Sequence, residues 1–329
     1  IRQSLVGSEM CIRDRKNIMA KITNAYDTYS ATTNREALAN TIFNLDPSAT
    51  PFMSAIGTKN VNNVTFDWST ENLPSISAGG ELEGFEISRA AATPVVRQSN
   101  VCQINSVNVT VSGSQESSDP AGKRSEMAHQ MALLSKALKR NMEVAICQNQ
   151  AKNKGNATTA RATRSFEAWL SSNVSRGTGG SNGSASAAAT DGTQRALTDT
   201  LLKGVLQSMF TNGAEPSMAI AGPFNKQVIS GFTGRANTRQ NVAEDTVSAS
   251  ISLYASDFGT LKIVPSNRSR DRSLLLVDPE YLKHSFLRTF QTVDISTIGD
   301  AETKMILAEH GLEVSSEQAH GIVADLTTS

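Results

Sequence analysis

The chain has 329 residues, and its 31 Lys+Arg balance 31 Asp+Glu for a formal net charge of zero. A protein that grips nucleic acid by itself carries a basic excess, so stand-alone nucleic-acid binding is disfavoured; neutrality does little to hold copies apart and suits association. Aromatic residues make up only 5%, which implies a thin core spread along the elements, with stability drawn partly from neighbours.

The length fits one large domain or two ordinary ones. Cys11, Cys102 and Cys147 show neither metal-ligand nor CxxC spacing, and read as reduced, mostly buried thiols of a cytoplasmic product. No apolar run approaches the ~18 residues needed to span a bilayer. The first 18 residues, IRQSLVGSEMCIRDRKNI, hold four basic residues but no apolar h-region and no small-residue cleavage site, so they are not a secretory signal. Their run SLVGSEMCIRD resembles a translated sequencing adapter. Residues 1–18 are therefore expected to be a non-native leader, with Met19 as the start and no room before Pro51 for an internal scaffolding domain.

From Met19 to about Ser30 the chain is polar and reads as an irregular arm. Asn34 can cap a short helix running into Asn40–Asn44, with Leu38, Ile42 and Leu45 at helical spacing. Pro47 and Pro51 stop it. The following PFMSAIG is a short apolar plug that either closes a local core or docks under a neighbouring subunit. Residues 61–70 alternate, with Val64, Phe66 and Trp68 on one face, and Val95–Ser112 alternates again through Val101, Val107, Val109 and Val111. Between these strands, Leu73–Pro94 is rich in Gly and Pro and acidic, so the whole reads as a projecting hairpin whose tip lies free or on a partner.

Asp119-Pro120 is a strong helix start signal. Met127, Met131, Leu134, Leu138, Met142 and Ile146 follow as one apolar stripe, with Lys123, Arg124, Lys136, Lys139 and Arg140 off it. With Gly155 as the stop, the helix would run roughly 30 residues, about 45 Å. The stretch RGTGGSNGSASAAATDGT from Arg176 reads as a flexible loop by composition. A second amphipathic helix then ends at Asn212-Gly213, followed by the strand SMAIAG, a helix over Phe224–Ile229, and strands at SISLYASDFG, TLKIVPS, LLLVD, SFLRTFQTV and KMILAEHGLEV. Without regular βαβ alternation, the fold class is α+β.

No cluster advertises chemistry. His129, His284, His310 and His320 form no ligand spacing and read as surface or structural histidines. GFTGR, from Gly231 to Arg235, matches neither phosphate-binding glycine pattern. Glu81/Glu83 and Glu302/Glu309 read as solvated carboxylates. The basic run SNRSRDRS, Ser266–Ser273, includes Asp271 and no aromatic, and reads as a surface loop. Catalytic, cofactor-binding and metal residues are therefore all assigned as none.

Several segments in order resemble one family: NLDPSATPFMSAIG, WSTENLP, DPAGKRSEMAHQMALLSKALKRNMEVAI, GPFNKQVISGFTG, SDFGTLKIVPS, DPEYLKHSFLRTFQT and the terminal GIVADL. They are similar to the SU-ten-like major capsid proteins of tailed phages, a branch of the Hong Kong 97-type capsid fold, and cover most of Met19 to Leu326. The resemblance implies an N-terminal arm (19–60), an extended β-hairpin loop (61–118), a spine helix with peripheral domain (119–175), a flexible loop (176–194), an axial domain (195–265) and return strands (266–329). It implies a structural subunit, not an enzyme, that self-assembles into hexamers and pentamers of an icosahedral head around double-stranded DNA. A separate scaffolding protein, a portal and decoration proteins are the further partners, DNA contact is weak and non-specific, and no membrane or cofactor is involved. The implied location is the virion, assembled in the host cytoplasm. Phe43, Pro51, Phe52, Leu82, Phe85 and Ile87 are the candidate inter-subunit contacts. The alternative is the shell of an encapsulin-like nanocompartment; a metal-independent hydrolase lacks any nucleophile–base set.

Overall fold

Pro51 opens α1 (Pro51–Ala55), where its fixed φ and missing amide suit the first helical position. Then come β1 (Gly57–Asn60), β2 (Thr65–Thr70), β3 (Val96–Val101), β4 (Gln103–Ser112), the one-turn α2 (Gly113–Ser117) and α3 (Glu126–Cys147). The chain continues through α4 (Phe166–Trp169), β5 (Val174–Ser175), α5 (Asp199–Thr211), β6 (Met218–Ala221) and α6 (Pro223–Ser230). It closes with β7 (Leu253–Ser256), β8 (Gly259–Pro265), β9 (Leu274–Val277), β10 (Leu282–Ile295), β11 (Ala301–Val314) and β12 (Gly321–Val323). This computed structural model describes residues 50–71, 79–86, 91–92, 94–118, 124–232, 253–296 and 299–329. The leader, the helix expected near Asn40–Asn44 and the Asp119-Pro120 start signal lie outside the described residues.

The described strands form three sheets: β1-β10-β11-β4, β5-β12-β9-β6-β8-β7, and the pair β2-β3. Parallel and antiparallel neighbours mix, as in β6 with β8 and with β9, so the architecture is α+β. The apolar stripe of α3 packs Leu138 and Met142 on Phe286, Ile306 and Ala308 of the first sheet. Farther along α3, Ile146 and Cys147 join Phe52, Phe166 and Leu312 in the main core. A second core lies between α5, through Leu202, Leu206 and Met209, and the six-stranded sheet.

Four expectations are corrected. The alternating run Val95–Ser112 is not one strand: it breaks at buried Cys102, whose amide donates to the Val64 carbonyl at 2.8 Å. Only β2 and β3 form the hairpin, while β4 leaves to pair with β11.

The spine helix is shorter than expected. Ser125 caps its start, its Oγ accepting from Ala128 N at 3.1 Å, and it ends at Cys147 after 22 residues, about 33 Å. Beyond it, Asn149 exchanges two hydrogen bonds with the Ala189 backbone, at 2.6 and 2.8 Å, giving the chain an alternative to further helix. Gly155, with φ +71°, serves instead as a left-handed turn residue between the bridged Asn153 and Ala162.

The loop after Arg176 is built rather than loose. The buried Asp325 carboxylate accepts from Gly177 N at 3.0 Å and Gly192 N at 2.9 Å, and Thr190 pairs with Ser181. Small residues serve close approach here: a Cβ on Gly177 would sit 2.1 Å from the Thr193 carbonyl oxygen.

The basic run Ser266–Ser273 turns inward. Arg270 reaches buried Glu167 at 2.8 Å and Asp191 at 2.6 Å, and Arg272 reaches Asp325 at 2.9 Å. The guanidinium groups of Arg270 and Arg272 are spent on carboxylates of the same chain, so the run is not the simple surface loop its composition suggests.

Candidate assembly surface

The six residues expected at subunit contacts separate into three groups. Phe52 is fully buried, its ring centroid 5.3 Å from that of Phe166, so it has no surface to offer a neighbour. The apolar plug closes the core of its own chain, and Pro51 beside it is half-buried at the helix start. Leu82 and Phe85 are exposed, at 83% and 49%. Phe43 and Ile87 lie outside the described residues.

The hairpin from which this segment extends is firmly anchored. On β2, Phe66 and Trp68 turn into the core, with their rings stacked at 5.8 Å and Trp68 5.4 Å from Trp169. Asp67 and Arg97 form an ion pair across the hairpin. Among the described residues the pairing runs as far as Thr70↔Val96. In the tip, Phe85 N donates to the Leu82 carbonyl at 3.0 Å, a tight turn that leaves both apolar side chains outward among exposed Glu81, Glu83 and Glu86. Apolar surface also lies at the far end of β10, where Phe290, Val293 and Ile295 are each 39% exposed, with Lys139 of α3 5.8 Å from the Phe290 ring centroid.

Buried charge underpins this surface and is what sequence reading missed. Glu143 accepts from Phe52 N and Met53 N, both at 2.8 Å. Burial pushes its carboxyl above the usual range, against the pull of those two amides. Glu309 holds Arg161 at 2.5 Å and Arg288 at 2.9 Å. Glu317 accepts from Ser171 N at 2.5 Å and Ser172 N at 2.7 Å. The one signal in the sequence was Asp325, a lone carboxylate inside the otherwise apolar GIVADL; its φ of +60° is a conformation that aspartate tolerates better than most residues.

The titratable groups are arranged for structure. His284 Nε2 lies 3.0 Å from His310 Nδ1, and both rings are buried. Burial lowers both, His310 to about 4, and lowers His320, whose Nδ1 accepts from Asp278 N at 3.2 Å, to about 3. His284, His310 and His320 are therefore structural, and His129 is half-buried on α3. Desolvation raises the Cys102 thiol to about 11 and Cys147 well above its ordinary value, so both are protonated thiols. Glu302 and Glu309 are not a pair: Glu302 is on Lys304, while Glu309 is buried with its arginines. Among the described residues no group of three or more His, Cys, Asp or Glu is placed to hold a metal, and no helix is long and apolar enough to cross a membrane.

Over 117 residues the chain is 32% identical to the major capsid protein of Escherichia phage Phieco32; the match covers 35% of this chain and spans 33% of that protein's length. Among solved structures it resembles the cyanophage A-1(L) capsid asymmetric unit, with a TM-score of 0.66 at 13% identity over 94% of this chain and 100% of that one. It also resembles the capsid of a native GTA particle computed with C5 symmetry, with a TM-score of 0.60 at 10% identity over 91% and 98% of the two chains. These likenesses carry the fold, which is the α+β capsid fold of the Hong Kong 97 type. Residues 21–327 match the family model of the SU10 major capsid protein, and the chain belongs to that family.

Proposed function

We propose that this chain is the repeating wall subunit of a tailed-bacteriophage head, closing by self-association into hexamers and pentamers around double-stranded DNA. The observation that carries the reading is the family match across residues 21–327. In this reading α3 and the sheet β1-β10-β11-β4 make the peripheral domain, and the six-stranded sheet with α5 and α6 makes the axial domain around the capsomer centre. The β2-β3 hairpin carries the extended loop, whose Leu82 and Phe85 are covered by a neighbouring copy. The role is structural rather than catalytic.

Zero net charge fits a wall that holds DNA weakly and non-specifically. A separate scaffolding protein, a portal and decoration proteins complete the particle, which is assembled in the host cytoplasm. Electron microscopy of the purified protein tests the reading: closed shells are expected, and monodisperse small oligomers would refute it.

A further inference from the structure

β10 carries two more residues than β11 within a short span. Pairing passes from Phe286↔His310 to Arg288↔Glu309 to Gln291↔Leu307, so β10 takes five residue steps where β11 takes three. Each slip is a one-residue bulge, and either alone would turn everything beyond it onto the wrong face. Together they restore the alternation. Thr292, beyond both, is again level with Ile306, which packs with Phe286 against Leu138 and Met142.

The extra length is about 6–7 Å of strand, so β10 must bow away from its partner. The bend belongs to β10 alone, because β11 and β4 pair without a slip from Ala301↔Ser112 to His310↔Gln103. β1 covers β10 only from Lys283 to Phe286, and among the described residues no strand pairs with its outer edge farther on. No residue from Phe286 to Gln291 is glycine, and none has positive φ, so no left-handed backbone conformation locks the bulges. Leu287, within the first bulge, packs against the main core, and Glu309 grips the charged side chains of the span. Its carboxylate, 3% exposed, takes Arg288 from between the two bulges and Arg161 from the segment that follows α3.

We propose that this double bulge is a bend-setting joint: Glu309, through Arg288 and Arg161, fixes the angle of the outer part of β10. A fixed angle there limits the range of curvature at which copies of the chain pack into a closed shell. The curvature role rests on the shell reading above; the joint itself does not.

The test is Glu309→Gln, which keeps the side-chain shape and removes the charge, read in two ways. In the unassembled subunit, amide hydrogen exchange at residues 287–291 should rise at least tenfold over the native chain, while residues 302–308 of β11 stay within twofold. In electron micrographs, the spread of shell diameters should at least double. An unchanged exchange rate at 287–291, or a rise shared evenly by β11, overturns the joint; an unchanged diameter spread overturns its curvature role. If Glu309→Gln fails to fold, Arg288→Met, which removes the more exposed partner, is judged by the same two measurements. A native chain that forms no shells refutes the shell reading and the curvature role together, and the exchange contrast then decides the joint alone.

Discussion

Glu143 and Phe52 are locked together although 91 residues separate them: the Phe52 amide donates to Glu143 Oε1 at 2.8 Å, and the Met53 amide to its other oxygen at 2.8 Å. A carboxylate on the long helix thus takes two backbone donors that the short helix α1 cannot satisfy internally. Glu143→Ala leaves both amides unpaired in the core. At about 1–3 kcal/mol for each of the two orphaned donors, the loss should be about 2–6 kcal/mol. Glu143→Gln, which retains one carbonyl acceptor, should lose less than Glu143→Ala. Urea unfolding measures both; equal losses would show that packing, not the capping contact, carries the effect.

Asp325 organises the loop after Arg176 in the same manner. Its removal strands Gly177 N and Gly192 N and leaves Arg272 without its buried partner. Asp325→Ala should cost about 3–5 kcal/mol, the usual penalty for breaking a buried charge pair from one side. The loop should also open, so limited trypsin digestion at Arg176 should speed up at least tenfold. Unchanged digestion would mean that Asp191 with Arg270 and Arg272 suffices to hold it.

Stability should depend on pH through the buried histidines. Burial depresses His284, His310 and His320 below the ~6.5 of an unfolded histidine. In that window the unfolded chain binds more protons, so stability is full above about 6.5 and declines as pH falls toward the folded values, about 4 for His310 and about 3 for His320. Glu143, with its raised carboxyl, works in the opposite sense. Urea midpoints should therefore drop between pH 7.5 and 4.5. His320→Gln should flatten that slope whatever it does to stability at neutral pH; an unaltered slope would remove His320 from the explanation.

The loop between Thr70 and Val96 should matter for association and little for folding. These residues face each other at the open end of the hairpin, so a two-residue Asn-Gly turn can join them. The shortened chain should stay soluble and unfold within about 1 kcal/mol of the native chain, since exposed Leu82 and Phe85 bury little within the subunit. It should form no closed shells. Normal shells from this variant would remove the loop from the contact between copies.

Features that depend only on neighbouring residues are legible in the sequence. The α3 stripe, the amphipathic α5 and the alternation of Phe66 and Trp68 follow from periods of 3.6 or 2 that the backbone imposes locally, while MAIA and LLLV are legible as short continuous apolar runs. The order of capsid-like segments likewise led to the family that residues 21–327 match. The helix end was not legible, because Asn149 leaves the helical path for a backbone 40 residues away.

The same reason governs the charged residues. Arg270 and Arg272 look solvated in SNRSRDRS because their carboxylates, Glu167, Asp191 and Asp325, come from three other parts of the chain. Phe52 looked available to a neighbour because the groups that bury it, Phe166 and Glu143, lie far along the sequence. Element types and their order were set by short-range backbone geometry and so by the sequence alone. Which charges are buried, which apolar residues remain outside and where β10 bends were decided only when tertiary packing brought distant partners within 3 Å, because a buried charge is tolerable only beside the specific groups that compensate it.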